Sequence, residues 1–433
     1  MKVTEIRYRP EIDGMRAIAV LSVVIYHAGL GLGAGLVGVD VFFVISGYII
    51  TSLLSAENLI AGRIDLFAFY ARRFRRIFPA LLVVVVVTMI ASCLMLSPHG
   101  EVLDVAHSAA SSLLFVGNLY FQSHTGGYFD PSSDRMPLVH LWSLGVEEQF
   151  YLVWPLALIL LLRLSPRAAI WLISLSAAAS FALSELLMLM KPNAAFYQMP
   201  ARFWELALGG LIALRPTQLK GNPKLIAAFG FLLILAAAAI PVSHFPGIGA
   251  LPAVSGAGLL LWSIHCTSNL GLTGAILRSR PLVQLGLLSY SLYLWHWPLL
   301  ALARATHQGE VPIVTRLILC AAALLLSWTS FRYVERPLRR PDANTSPRQI
   351  VAAGLLASFC VAYASIALGK FIDRPAPPTD LASRTARDGP TNRYKCNFRG
   401  DEPLDDFPRS GCIHADGKPV RVAIWGDSHG LAW

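Results

Sequence analysis

The chain has 433 residues, of which 55% are hydrophobic and only 14% charged, and it carries a formal net charge of +10. That balance excludes an ordinary soluble domain, in which about a quarter of the residues are charged. It does not point to nucleic acid either, because the basic residues fall between apolar runs and on their flanks, as membrane topology requires.

Two apolar spans, Gly14–Leu30 and Val37–Leu54, flank a Gly-rich turn and predict an antiparallel helix pair. Each is near the ~20 residues that cross the hydrocarbon. Arg16, His27 and Asp40 interrupt them. Arg16 and His27 are separated by about 16 Å along the axis, nearly three turns, so they share a face. Asp40 opens the second span just past the turn and is expected to approach His27. Ionisable groups in lipid usually mark a pathway or a reaction site. The plainer alternative is a snorkelling Arg16 and a packed, hydrogen-bonded His27. With these charges and a second span following, the first run does not read as a cleavable signal peptide.

The pattern RPEIDGMRAIAVLSVVIYHA followed by GVDVFFVISGY resembles the start of the acyltransferase-3 family of integral membrane acyltransferases, which includes bacterial O-antigen acetylases. In that family an Arg and a His of the first helix carry function, and the resemblance assigns those positions to Arg16 and His27.

Nine more spans follow at Ala80–Leu96, Phe150–Leu162, Ala168–Met190, Phe203–Leu214, Lys224–Ile240, Ile248–Ile264, Leu282–Leu302, Ile313–Tyr333 and Ile350–Leu368. The fold class is therefore an α-helical polytopic membrane protein with about 11 transmembrane helices. A further segment, Val105–Phe121, is less apolar and contains His107 and Asn118. If it does not cross, five basic clusters share the side of the N-terminus: Arg63 with Arg72–Arg76, Arg163 with Arg167, Arg215 with Lys220, Arg278 with Arg280, and Arg336 through Arg348. It is accordingly read as re-entrant or lying on the outer face, with the N-terminus cytoplasmic and the C-terminus extracytoplasmic.

Before the third span stands FYARRFRRIFP, with Arg73 and Arg76 three residues apart and Pro79 placed to open the next helix. Guanidinium forks bind phosphate oxygens, although basic residues beside a span also simply hold topology. The resemblance assigns Arg73 and Arg76 to the family's Arg-x-x-Arg motif, which handles an acyl-CoA donor.

The block LVHLWSLGVEEQFYLVWP (138–155) places His140, Ser143, Glu147, Glu148 and Gln149 at what reads as the outer membrane edge. Its tryptophans and Tyr151 suit an interface belt, whereas the carboxylates and the histidine ask for more. The block resembles the family's H-x-W-S-L-x-x-E-x-Q-F segment, and Glu148 is the residue favoured for its Glu. Arg202 and Glu205 can pair within one helix. The run SYSLYLWHWPLLAL, with Tyr290, Tyr293 and His296, recurs in the family near its last core helices but by itself reads as packing. Glu335 reads as an ion-pair partner at an inner helix end.

After Gly369 the composition turns polar and rich in Pro, Asp and Arg, as an exported linker does. Cys93, Cys266, Cys320 and Cys360 lie in or beside spans and read as packing residues. Cys396 and Cys412 sit apart in the polar segment; in an oxidising compartment they are a possible disulfide, and two free thiols are the alternative. The final PVRVAIWGDSHGLAW resembles the first block of SGNH hydrolases, in which the Ser, here Ser428, is the nucleophile. No later block supplies the remaining catalytic residues, so a truncated α/β SGNH-type domain of a two-part protein is expected.

The expected organisation is an acyltransferase-3 membrane domain over 1–340, an additional helix over 341–369, an extracytoplasmic linker over 370–418 and the SGNH start over 419–433. The resemblance implies an O-acyltransferase of the bacterial inner membrane, with no permanently bound cofactor and acyl-CoA, acetyl-CoA by resemblance, as donor. Its acceptor is then an extracytoplasmic glycan such as lipopolysaccharide O-antigen or peptidoglycan, its surroundings are membrane lipids, and nucleic acid is not a partner. Catalysis would rest on His27, Arg16, Asp40 and Glu148, with His27 as base or acyl carrier. A transporter or flippase also places ionisable groups in midmembrane, but no repeated halves are visible. A membrane-anchored esterase needs only one span.

Overall fold

Helix follows helix, and no strand occurs among the described residues. The computed structural model describes residues 8–97, 100–126, 133–215, 221–242, 244–307, 309–339 and 345–373. The expected linker beyond residue 373, the Cys396 and Cys412 pair and the block with Ser428 lie outside the described residues. In order the helices are α1 (Pro10–His27), α2 (Gly38–Ala61), α3 (Leu66–Met95), α4 (Glu101–Leu113), α5 (Gly117–His124), α6 (Trp142–Leu161), α7 (Pro166–Met190) and α8 (Pro192–Tyr197). Then come α9 (Met199–Leu214), α10 (Pro223–Ala239), α11 (Gly247–Cys266), α12 (Gly271–Leu277), α13 (Arg280–Thr306), α14 (Ile313–Ser330), α15 (Arg336–Leu338) and α16 (Pro347–Ile372).

Local chemistry sets where several helices begin. Asp65 caps α3 by accepting from the Ala68 amide at 3.0 Å. Ser165 and Asn222 cap α7 and α10, each directly before a proline that needs no amide partner. Ser346 and Gln349 form a reciprocal capping box on α16. Pro79 departs from expectation. It does not open a helix but lies inside α3, where its missing amide removes only the bond to the Arg75 carbonyl. The Asp65 cap starts the helix earlier, so Arg73 and Arg76 stand on the same rod as the third span.

Among the described residues, seven helical segments are long and apolar enough to cross a membrane on those grounds alone: Gly35–Ala61, Leu66–Met95, Val139–Leu161, Pro166–Met190, Gly247–Cys266, Ile313–Leu338 and Pro347–Ile372. The other four expected spans correspond to α1, α9, α10 and α13; α10 is apolar but has only 17 residues. The apolar window of α2 is 72% buried, whereas those of α7, α14 and α16 are 17% buried. So α2 is a central rod, and the other three carry the lipid-facing surface, with Trp171, Leu325 and Tyr363 exposed. Cys360 belongs to that exposed surface and not to the packing expected of it.

Backbones approach closely at the central contacts. A Cβ on Gly47 would overlap the Leu206 carbonyl, and one on Gly209 the Val44 carbonyl, so α2 and α9 meet through paired glycines. Gly286 of α13 meets the Asp13 backbone of α1 in the same way.

Contacts far apart in sequence define the two ends of the bundle. At one end Arg348 stacks over Phe67 at 5.0 Å, Arg278 lies 3.3 Å from Glu11, and His265 lies 3.2 Å from the Arg215 carbonyl. At the other, Arg316 donates to the Ala28 carbonyl at 3.0 Å and the Gly100 amide to Asp373 at 3.0 Å. The segment Val105–Phe121 is two pieces, α4 and α5, broken at Phe115 with φ 57°. Helices of 13 and 8 residues reach only about 20 and 12 Å, short of the hydrocarbon thickness.

Candidate active site

A cavity of about 840 Å³, counting the space at its mouth, lies among α1, α2, α3, α6 and α13. Arg16 enters it from α1, Ser46 from α2, Arg73 and Arg76 from α3, Glu147 and Tyr151 from α6, and Tyr290 and Tyr293 from α13. Arg16 is 3.3 Å from Asp13. Among the described residues neither Arg73 nor Arg76 has a carboxylate within ion-pair distance. Arg73 instead lies over the Tyr151 ring at 5.3 Å and the Phe69 ring at 5.7 Å. Glu147 accepts hydrogen bonds from Ser46 at 3.1 Å and Tyr151 at 3.0 Å. Tyr290 donates to the Ile77 carbonyl at 2.7 Å and so ties α13 to α3.

Three expectations change. The arginines and the carboxylate block are not on opposite faces of the membrane; they line one cavity. The reason is where α6 starts: the helix begins at Trp142 rather than Phe150, which carries Glu147 about 7–8 Å down the rod. Arg73 and Arg76 rise about 10–15 Å from the start of α3 to meet it. Secondly, Glu147 faces this cavity, whereas Glu148 is not on its wall and its Oε1 is buried without a hydrogen-bond partner.

The third concerns Asp40, which forms its ion pair with Arg202 at 2.8 Å, where His27 is the partner expected from the sequence. Arg202 also lies 3.1 Å from Glu205, and all three side chains are fully buried. Around the guanidinium stand Phe43 at 5.5 Å, Phe245 at 5.4 Å, Trp142 at 5.8 Å and Phe196 at 5.9 Å. The pairing expected within ARFWEL is present, with Asp40 as its third member. Glu335 meets Ser291 and Arg339 at the end that carries Arg348.

His27 sits where Tyr293 leads away from the cavity. The Tyr293 hydroxyl donates to the His140 carbonyl at 2.7 Å, leaving Ser143, also 2.7 Å away, to donate to it. One turn further along α13, His296 packs parallel to His27 with ring centroids 5.2 Å apart. His27 Nδ1 and His296 Nε2 are 2.9 Å apart, and Trp297 meets the edge of the His27 ring at 4.5 Å. His140 lies 5.8 Å from His296 between centroids, with both ring nitrogens buried and unpartnered. Arg304 donates to the His27 carbonyl, pinning the end of α1. His296 is the functional candidate that an aromatic-packing reading of its run passed over. It is the only Asp, Glu, Lys, Arg or His between Arg280 and Arg304, the same signal that singled out His27.

Half-buried arginines, one carboxylate and a buried histidine pair stand inside a polytopic helical bundle, the polar centre of a helical membrane protein. A family model described as an acyltransferase domain, that of the acyltransferase-3 family, matches residues 9–332, and the chain belongs to that family. The chain is 33% identical over 351 residues to the O-acetyltransferase OatA of Staphylococcus aureus (strain NCTC 8325 / PS 47), covering 77% of this chain and 58% of that protein. It is 32% identical over 365 residues to the peptidoglycan O-acetyltransferase OatA of Listeria monocytogenes serovar 1/2a, covering 77% of this chain and 56% of that protein. The matched region thus spans somewhat more than half the length of these relatives. No solved structure matches the chain.

Proposed function

We propose that this chain is the membrane part of an O-acyltransferase that takes an acyl group from acyl-CoA and passes it to a hydroxyl of a surface glycan. The observation that carries this reading is the cavity wall, where Arg16, Arg73 and Arg76 face one carboxylate, Glu147. Arg16 is half-buried beside Asp13, and Arg73 and Arg76 are half-buried with no carboxylate within ion-pair distance among the described residues. Cations drawn out of water without matching carboxylates are costly, and an anionic ligand offsets that cost. The pyrophosphate and ribose phosphate of coenzyme A suit guanidinium forks, and the half-apolar cavity suits its slender pantetheine arm. Arg16 and His27 stand about 16 Å apart on α1, a separation such an arm can bridge. The thioester then lies near the imidazole. The reaction moves the acyl carbon from sulfur to a hydroxyl oxygen, releasing the thiol. His27 either removes the hydroxyl proton or carries the acyl group between the two.

The basic clusters at one end favour an orientation with that end cytoplasmic and His27 toward the outside, in the bacterial inner membrane. Eleven crossings fit this orientation. Among acceptors, peptidoglycan is favoured over an O-antigen sugar by the name of the Listeria relative. The names of both relatives favour acetyl as the acyl group. Ser428, outside the described residues, is proposed as the acceptor-side nucleophile of an SGNH-type domain. Proteoliposomes loaded with acetyl-CoA test the reaction: CoA release that depends on added glycan is expected, and substrate movement without CoA release supports a transporter instead. Mass spectrometry of surface glycans from cells with and without the gene reads the acceptor, and unchanged acetylation of every glycan overturns the reading.

A further inference from the structure

We infer that His296 is a positioning residue for His27: it fixes which ring nitrogen of His27 carries the proton and leaves the reactive lone pair on Nε2. The inference rests on the proposed role of His27 in acyl transfer. Its starting point is the side of His296 that faces its own helix. His296 Nδ1 lies 2.7 Å from the Tyr293 carbonyl and 3.1 Å from the Leu292 carbonyl. Carbonyl oxygens only accept, so Nδ1 must carry the hydrogen. In a neutral ring that leaves Nε2 of His296 as an acceptor. Its neighbour at 2.9 Å is His27 Nδ1, which must therefore donate. The remaining lone pair of a neutral His27 is then on Nε2.

Packing holds this chain of hydrogen bonds in register. The two rings are parallel within 3°, and both residues are buried. Trp297 packs against the edge of His27 and donates its own N–H to the Met136 carbonyl at 2.9 Å, which keeps it in place. Gly286 and Asp13 bring the α1 and α13 backbones into contact lower on the same pair of helices. The relationship is that of a catalytic imidazole oriented by a second group behind it, a device in which the wrong tautomer stops the chemistry. Here the second group is another imidazole, and a backbone carbonyl fixes its own tautomer in turn.

The test begins with the unaltered full chain in bilayers. Selective ¹⁵N-histidine labelling reads the two nitrogens of His27, with His27→Gln used to assign its signals. A protonated Nδ1 and an unprotonated Nε2 support the inference, and the opposite tautomer overturns it. Turnover supplies the second arm. His296→Leu fills space without an acceptor and should lower kcat at least roughly 100-fold while leaving KM for acetyl-CoA within about threefold. His296→Gln places an amide oxygen near the lost Nε2 and should recover at least tenfold of that. If both variants keep normal kcat while His27→Ala is dead, His296 is a packing residue and only this inference fails. If His27→Ala is itself active, the proposed role of His27 fails. A His296→Leu protein that does not fold leaves the ¹⁵N tautomer as the deciding measurement.

Discussion

His27 at the end of α1 and His296 within α13 are hydrogen-bonded ring to ring at 2.9 Å across 269 residues of chain. The pair joins the first helix of the domain to one of its last. His27→Gln keeps volume and a hydrogen-bonding group but loses the imidazole lone pair, so it should abolish acyl transfer. Donor binding should persist, because Arg16 stands about 16 Å away along α1 and Arg73 and Arg76 belong to another helix, α3. Isothermal titration of acetyl-CoA together with a turnover assay checks both halves. Near-normal transfer by the Gln variant would make His27 a packing residue.

Arg73→Ala and Arg76→Ala should each weaken acetyl-CoA binding by about 1.5–3 kcal/mol, the worth of a charge-assisted phosphate contact. Folding should suffer less, since neither side chain has a carboxylate partner to strand among the described residues. The Arg73 variant also loses its stacking on Tyr151, worth about 0.5–1 kcal/mol. Unchanged affinity in both purified variants rules out the donor site.

Long apolar runs were legible because the bilayer sets their length, and no contact needs to be known to see them. That Arg73 and Glu147 line one cavity is not legible, because sequence gives no relative height between helices. That height depended on a helix starting at Trp142 rather than Phe150, and no cap or proline marks the earlier start. Asp40 has His27 as the nearest Asp, Glu, Lys, Arg or His in the sequence. Its partner Arg202 comes from α9, brought close by Gly47 and Gly209. Such small residues are uninformative until the helix they face is known. His296 is visible by the rule that singles out His27, a lone ionisable residue in an apolar run, but its tryptophan neighbours give that run the look of packing.

The proposed orientation makes a direct prediction for two exposed loop positions, Arg63 and Glu310. In a chain otherwise free of reactive cysteines, Arg63→Cys should be protected from a membrane-impermeant maleimide added to intact cells. Glu310→Cys should react readily. The basis is the gathering of basic clusters at the end that holds Arg63. Reaction at both positions, or at Arg63→Cys alone, refutes the orientation.

The ion cluster around Arg202 should matter more to stability than to chemistry, and unequally among its members. Arg202 serves Asp40 on α2 and Glu205 on its own helix, inside a ring of aromatic side chains. Arg202→Met removes the cation and strands two buried carboxylates, which should cost about 3–5 kcal/mol. Glu205→Gln leaves the Arg202–Asp40 pair intact and still offers an acceptor to the guanidinium, so its cost should stay near 1 kcal/mol. Arg202→Lys should fall between them, because an ammonium restores charge without the planar fork or its stacking. Chemical denaturation in detergent, run for all three variants against the parent, gives the order. An Arg202→Met protein as stable as the parent would show that the cluster does not hold α2 against α9.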